Sequence, residues 1–336
     1  MTTTTTKQSP SRVRRALSWA VDTPEPLIFI VLAVLVVTFT VISPTAFLSA
    51  ANLRSMGTDA ALLLLISIGM CFVIISGGID LSIGSVLVFA SVVSMQAMLA
   101  IGGDGWGTVL IGLVVGILAG AFWGAVNGFL IAHLKLEPLI VTLGTMGAAL
   151  GAARLITGGV NLAGVPRVLV DDIGQFRPFG IPGFVIIGVI VAIVFGLVLN
   201  RTRFGRHTFA IGSNSEAALR SGIVVKRHLV SVYVLSGVLA GIAGYLSLAR
   251  FSTTTIEGHA TDILKAITAV VLGGASLAGG RGSVYGTVAG VLIPVILTAG
   301  LVISGLQAFW QEVLIGAILI AAVIVDRERR RRRRSS

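Results

Sequence analysis

The sequence predicts an all-α integral membrane protein: a polytopic bundle of about ten transmembrane helices with both termini in the cytoplasm. Three observations carry this. Hydrophobic residues make up 55% of the chain and only 12% of residues are charged, against roughly a quarter in soluble domains. Mean hydropathy is +0.99, and apolar runs near the 20 or so residues that cross a bilayer recur along the chain. Basic residues, finally, collect in alternate connections.

Residues 1–26 read as a polar cytoplasmic tail. Arg12, Arg14 and Arg15 before an apolar run also fit a signal peptide, but Pro24 and Pro26 interrupt the approach. Leu27 to Ile42 is long enough for a slightly short span, so it is taken as a retained first helix. The transmembrane domain, 27–325, then holds segments at 27–43, 57–76, 83–101, 108–131, 138–156, 183–199, 229–249, 263–279, 286–304 and 308–325. Only a Gly-rich break separates the second from the third, which leaves nine or eleven crossings open.

Charge decides for ten. With the N-terminus inside, 19 of the 25 basic residues fall on the inner side, as the positive-inside bias requires. The six others are Arg54, Arg154, Arg167, Arg177, Arg250 and Lys265. The Arg-rich tail, 326–336, follows the last span directly and has no interleaved aromatics. It is read as an anchor to anionic lipid of the bilayer, each basic residue contributing about 1 kcal/mol near the surface, and no nucleic acid partner is expected.

Gly112, Gly116, Gly120, Gly124 and Gly128 form an unbroken i, i+4 row. Small residues at that spacing let helix backbones meet closely, so the row predicts a tight packing seam. Arg154, and Asp262 with Lys265 at helical spacing, read as interfacial anchors or ion pairs.

Several chemistries are excluded. The four lysines follow Thr6, Leu134, Val225 and Leu264, so no Gly-Lys phosphate loop exists. No H-E-x-x-H occurs, and no serine has glycine at both −2 and +2. The one cysteine, Cys71, sits in an apolar run. No catalytic residue, metal or cofactor is expected, and transport becomes the leading class.

Two Gly-rich breaks stand on the inner side, ISGGIDLSIGSV (75–86) and LGGASLAGGRGSVYG (272–286). They share Gly-Gly-x-x-Leu-x-x-Gly, with Gly77 and Gly78 matching Gly273 and Gly274, a pattern open to chance or to structural repetition. Together with Asp80 and Ser82, these glycines are candidates for a pathway or gate. A competing reading has Asp80 capping the next helix, with Ser82 or Ser85 sharing the task.

Between long apolar runs lies GSNSEAALRSG (212–222), one short polar helix over 215–221. Asn214 and Ser215 are N-cap candidates, Glu216 occupies the first turn, and Gly222 suits a left-handed residue past the end. So short a helix is marginal in water and calls for outside support.

The stretches ISGGIDLSIGSV, PLIVTLGTMGAALGAARLITGG (138–159), RTRFGRHTFAIGSNSEAALRSGI (201–223) and VVLGGASLAGGRGSVYGTVAG (270–290) stand in an order that resembles the ribose-type monosaccharide permeases of bacterial ATP-binding-cassette (ABC) importers. The resemblance covers about residues 27–325. It implies that Glu216, Ala217, Ala218 and Gly222 belong to a coupling helix, in a cytoplasmic loop 200–228, that docks on a separate ABC ATPase subunit. It also implies a second permease copy or paralogue, an extracytoplasmic sugar-binding protein and location in the bacterial plasma (inner) membrane. The external loop 157–183 sets Arg167 and Arg177 against Asp171 and Asp172, which suits docking of that binding protein or an ordinary surface loop. Related permeases for branched-chain amino acids or nucleosides are one rival, though GGIDLSIGSV looks more like the sugar branch. A self-sufficient channel or carrier is another, and would want several paired intramembrane charges.

Overall fold

The computed structural model describes residues 24–307 and 309–334; the tail expected over 1–26 lies almost wholly outside them. Among the described residues every regular element is helical, and one isolated antiparallel bridge joins Ala163 to Thr253. Seven helices are long and apolar enough to cross a membrane. They are α3 (Ala50–Ile75), α4 (Ile83–Ile101), α5 (Trp106–His133), α6 (Pro138–Thr157), α7 (Gly183–Arg201), α10 (Val225–Phe251) and α12 (Val284–Ile303). Two flanking helices, α1 (Pro24–Ile42) and α13 (Phe309–Arg334), contain shorter apolar stretches, Ile28–Ile42 and Phe309–Ile324. The segment expected as a full span over 263–279 contains only an 11-residue helix, α11 (Asp262–Leu272). At 1.5 Å per residue it covers about 16 Å, roughly half a bilayer core. It stops because Gly273 and the left-handed Gly274, at the start of the second Gly-rich break, close its C-terminus.

Local chemistry explains the ends. The Ser49 hydroxyl accepts from Asn52 N at 3.2 Å to start α3, after the single turn α2 (Pro44–Phe47). Pro138 opens α6 at a position where its missing N–H costs nothing. Ser283 caps α12 through Gly286 N at 3.3 Å. The Arg-rich tail does not leave the last helix: the backbone of α13 stays helical to Arg334.

α3 is apolar all round and buried from Ala61 to Ile75, so it is the central helix. Around it pack α10, α7, α12 and α11. α5 and α7 each turn an apolar face outward (Leu110, Val114, Leu118 and Phe122 on α5; Val189 and Ile193 on α7), as helices bordering lipid do.

The predicted seam is present. All five glycines of the α5 row are buried. A Cβ on Gly120 would strike the Gly237 carbonyl of α10, and one on Gly124 the Tyr233 carbonyl; one on Gly128 would lie 2.7 Å from Val230 Cα. Gly237 and Gly241 of α10 press back on the carbonyls of Gly120 and Gly116. The two helices therefore meet backbone to backbone.

Candidate functional site

The helix predicted over 215–221 is observed as α9 (Ser215–Arg220). Asn214 both closes the preceding helix α8 (Arg203–Ser213), through its N–H to Ala210 O at 3.0 Å, and caps α9, its side chain accepting from Ala217 N at 2.9 Å. Gly222 follows in the left-handed region at φ +84° with open space around it. Glu216, Ala217, Leu219 and Arg220 are exposed, Glu216 and Arg220 forming a loose i, i+4 ion pair at 3.9 Å, while Ala218 is buried. The element packs against α8 and α10, so its outer face stands free at one end of the bundle.

The two Gly-rich breaks meet at that same end. The last residue of α3, Ile75, offers a carbonyl that its own helix cannot satisfy, and Gly280 N of the second break donates to it at 2.8 Å. Gly212 of α8 is wedged into this junction: its Cβ would overlap the Ile75 carbonyl and lie 2.7 Å from Gly280 N. The helix ends before the breaks are alike, but their register differs from the sequence match by one residue. Gly77 (φ +90°) corresponds to Gly274 (φ +91°), each donating to the carbonyl three residues back, Ile74 and Val271. Gly78 accordingly matches Ala275, and Asp80 matches Leu277. Hydrogen-bonded helix closure, not the glycine spelling, fixes the equivalence.

Asp80 is the hub of a buried hydrogen-bond network just before α4. Its Oδ1 accepts from Ser82 N at 3.0 Å and from Ser82 Oγ at 2.6 Å, ordering the chain into α4. Its Oδ2 accepts from Ser236 Oγ of α10 at 3.0 Å. The network continues: Asn127 Nδ2 of α5 donates to Ser82 Oγ at 2.8 Å, and Thr145 Oγ1 of α6 to Asn127 Oδ1 at 2.7 Å. Asp80 is 2% exposed and has no cationic partner among the described ion pairs. One carboxylate thus ties α4, α5, α6 and α10 together.

Beside this network a cavity of about 460 Å³ opens toward α9. Gly77 and Gly78 line it; Asp80, Ser82, Gly273 and Gly274 do not. Gly273 instead packs on the backbone of Gly286. Asn127, Thr145, Ser236 and Tyr233 were not singled out from sequence. A signal existed for Asn127, which shares the buried face of the glycine row three residues after Gly124.

At the opposite end lies a second cavity, about 330 Å³, with a charged rim. Arg250 reaches Asp59 at 3.2 Å and Ser55 Oγ at 2.6 Å. Asp262 pairs with Lys265 at 3.2 Å, as its spacing predicted, and with His259 Nδ1 at 2.7 Å. Arg154 pairs with Glu257. The long loop 157–183 is pinned here: Leu162 N donates to Thr254 Oγ1 at 2.7 Å, Thr254 N to Leu162 O at 3.1 Å, and Arg167 N to Asp104 at 3.0 Å. Its Phe179 is fully exposed.

Comparison with known proteins adds the family. Residues 52–323 match the model described as branched-chain amino acid transport system / permease component. The ribose import permease protein of Bacillus subtilis is 37% identical, over 90% of this chain and 92% of its own. The D-allose transport system permease protein of Escherichia coli is 34% identical over 96% and 98%, and the L-arabinose permease of the same organism 36% over 91% of each. No solved structure matches the chain. With its breaks, short capped helix and all-helical bundle covered from end to end by such relatives, this chain belongs to the permease-component family of ABC importers, among its sugar permeases.

Proposed function

We propose that the chain is the membrane-spanning subunit of an ABC importer that carries a monosaccharide, a ribose-like pentose or a related sugar, across the bacterial plasma membrane. The observation that carries this is the free outer face of α9, a six-residue helix that is capped at both ends yet stands out from the bundle. Such a helix gains tertiary support by docking on a partner. The partner is a separate cytoplasmic ATPase, so this subunit itself is no enzyme. Glu216, Ala217, Ala218 and Gly222 shape the docking element, and loop 200–228 carries a net charge of +5 that suits the cytoplasmic side.

In this reading α1, α11 with its following break, and α13 complete ten segments with both ends inside. A second permease copy or paralogue completes the pathway. Loop 157–183, anchored to the chain near Thr254 and presenting Phe179, receives the external sugar-binding protein. ATP-driven closure of the partner would move α9, and Asn214 passes that motion to α8 because it belongs to both helices. Gly212 then presses on the junction of Ile75 and Gly280.

The test is uptake into proteoliposomes holding the permease, its ATPase and its binding protein, with labelled ribose, allose, arabinose, galactose and fructose offered in turn. ATP-dependent accumulation of at least one sugar is expected. Equilibration without ATPase would favour a channel or carrier, and accumulation of leucine or a nucleoside in place of sugar would favour the rival branches.

A further inference from the structure

The cavity beside α9 holds a side chain that the protein itself leaves unsatisfied. Tyr233 of α10 is 1% exposed, and its hydroxyl is buried without a hydrogen-bond partner. The hydroxyl lies over Gly78, so that a Cβ at that position would collide with it. Buried hydroxyls are almost always paired. A phenylalanine would fill the same volume and avoid the cost of desolvating an idle polar group. Tyr233 belongs to the cavity lining, so a molecule that enters there and parts the wall can supply the missing partner.

The rest of the lining says what kind of molecule that is. Ser76, Ser213, Asn214 and Ser215 supply neutral donors and acceptors, and none of the lining residues is charged. A zwitterionic amino acid needs counter-charges for its ammonium and carboxylate, and leaving them unpaired is expensive. A monosaccharide carries hydroxyls, each able to donate and accept, and a ring oxygen that accepts, and it matches hydroxyl and amide side chains without any charge. The cavity with a charged lining is the one at the other end of the bundle, around Asp59, Arg250, Asp262 and Lys265.

We propose that this cavity is a monosaccharide-binding site at the α9 end of the pathway, and that Tyr233 donates to or accepts from a sugar hydroxyl there. The inference rests on the permease reading above and deepens it. Gly78 keeps the floor low enough for the ring hydroxyl to face the sugar. Ser213, Asn214 and Ser215 also line it, and they belong to the end of α8 and the start of α9. Movement of α9 therefore changes the width of the site, which couples release of the sugar to the ATPase.

The experiment uses the permease–ATPase complex carrying Ser213→Cys. The native Cys71 is fully buried, so alkylation by N-ethylmaleimide reports on position 213, which is exposed at the cavity mouth. Millimolar ribose, arabinose, allose, galactose or fructose is added in turn, with leucine as the contrast. At least one sugar should slow alkylation while leucine does not. Adding Tyr233→Phe should raise the half-protecting sugar concentration between about twofold and tenfold, the value of one neutral hydrogen bond, and should not lower the melting temperature of the complex. Protection by no sugar, equal protection by leucine, or unchanged protection in the Phe variant would each overturn the site. Sugar uptake by the complete system together with no protection removes the site alone. Failure of all five sugars to be taken up removes the permease reading on which it rests.

Discussion

Gly212→Ala adds a single methyl group at the point where α8 touches both breaks. The backbone of Gly212 is not left-handed, so conformational strain is not the issue. Space is. The new Cβ would sit inside van der Waals contact with the Ile75 carbonyl oxygen, 2.7 Å from Gly280 N and 2.9 Å from Ile75 C. All three atoms are backbone, so no rotamer change relieves the clash. Either α8 withdraws or the Gly280 N to Ile75 O bond, 2.8 Å in the native protein, opens. Overpacking of this kind costs about 1–3 kcal/mol, and the lost bond adds about 0.5–1.5 kcal/mol, giving roughly 2–4 kcal/mol at one junction. The clash is confined to backbone at the end of α3 and leaves the side-chain packing of the core in place, so the variant should reach the membrane. Its sugar uptake and its ATPase stimulation by the loaded binding protein should fall together, by tenfold or more, measured in proteoliposomes holding all three components. Wild-type uptake and stimulation from Gly212→Ala would refute the idea that force passes through this contact.

Gly222→Val places a β-branched residue at φ +84° in open space, a cost of about 1–2 kcal/mol that is purely conformational, and Glu216→Lys removes a favourable first-turn charge. Both should keep membrane levels but lose uptake and stimulated ATPase activity, which the same proteoliposomes measure. Asp80→Asn retains an acceptor for Ser82 and should fold, its uptake reporting whether the charge serves the pathway. Asp80→Leu strands Ser82 and Ser236, each unpaired buried group costing about 1–3 kcal/mol, and should lower the melting temperature in detergent. Cysteine at position 170 should react with an impermeant external thiol reagent and cysteine at 213 should not; reversed labelling would refute the proposed orientation.

Helix positions were legible where apolar runs ended in strong local signals. Ile83–Ile101 agrees with the expected 83–101, and α6 runs only one residue beyond 138–156, since Pro138 and Gly158 punctuate it. The seam was legible because only glycine permits that contact, and the cap of α9 because Asn214 and Gly222 have few other uses. The α11 half-helix was not: the break at 272–286 marks its end, but hydropathy averages across Gly273, Gly274 and Ser276 and carries the apolar window on to 279. The buried network was equally hidden. Asn127, Thr145 and Ser236 are single polar residues inside spans, and their partners are set by which helices adjoin, which no local pattern encodes. Tyr233 reads from sequence as an ordinary apolar-face aromatic; its idle hydroxyl exists only in three dimensions.

The contact between α5 and α10 also limits which motions are open to a transport cycle. Ordinary helix pairs can slide because interleaved side chains change rotamer as they pass. Here the carbonyls of one helix rest in notches that only the absence of a side chain provides. Displacing α5 by one residue would present Ile117, Ala121, Ala125 and Phe129 to those notches, each too large to enter. The pair behaves as a single welded girder, and the Asp80 network bolts α4 to it. Any alternation between outward and inward openings must then flex at the joints beside that girder, where α3 gives way to α4 and α11 to α12, while the girder itself turns as one piece.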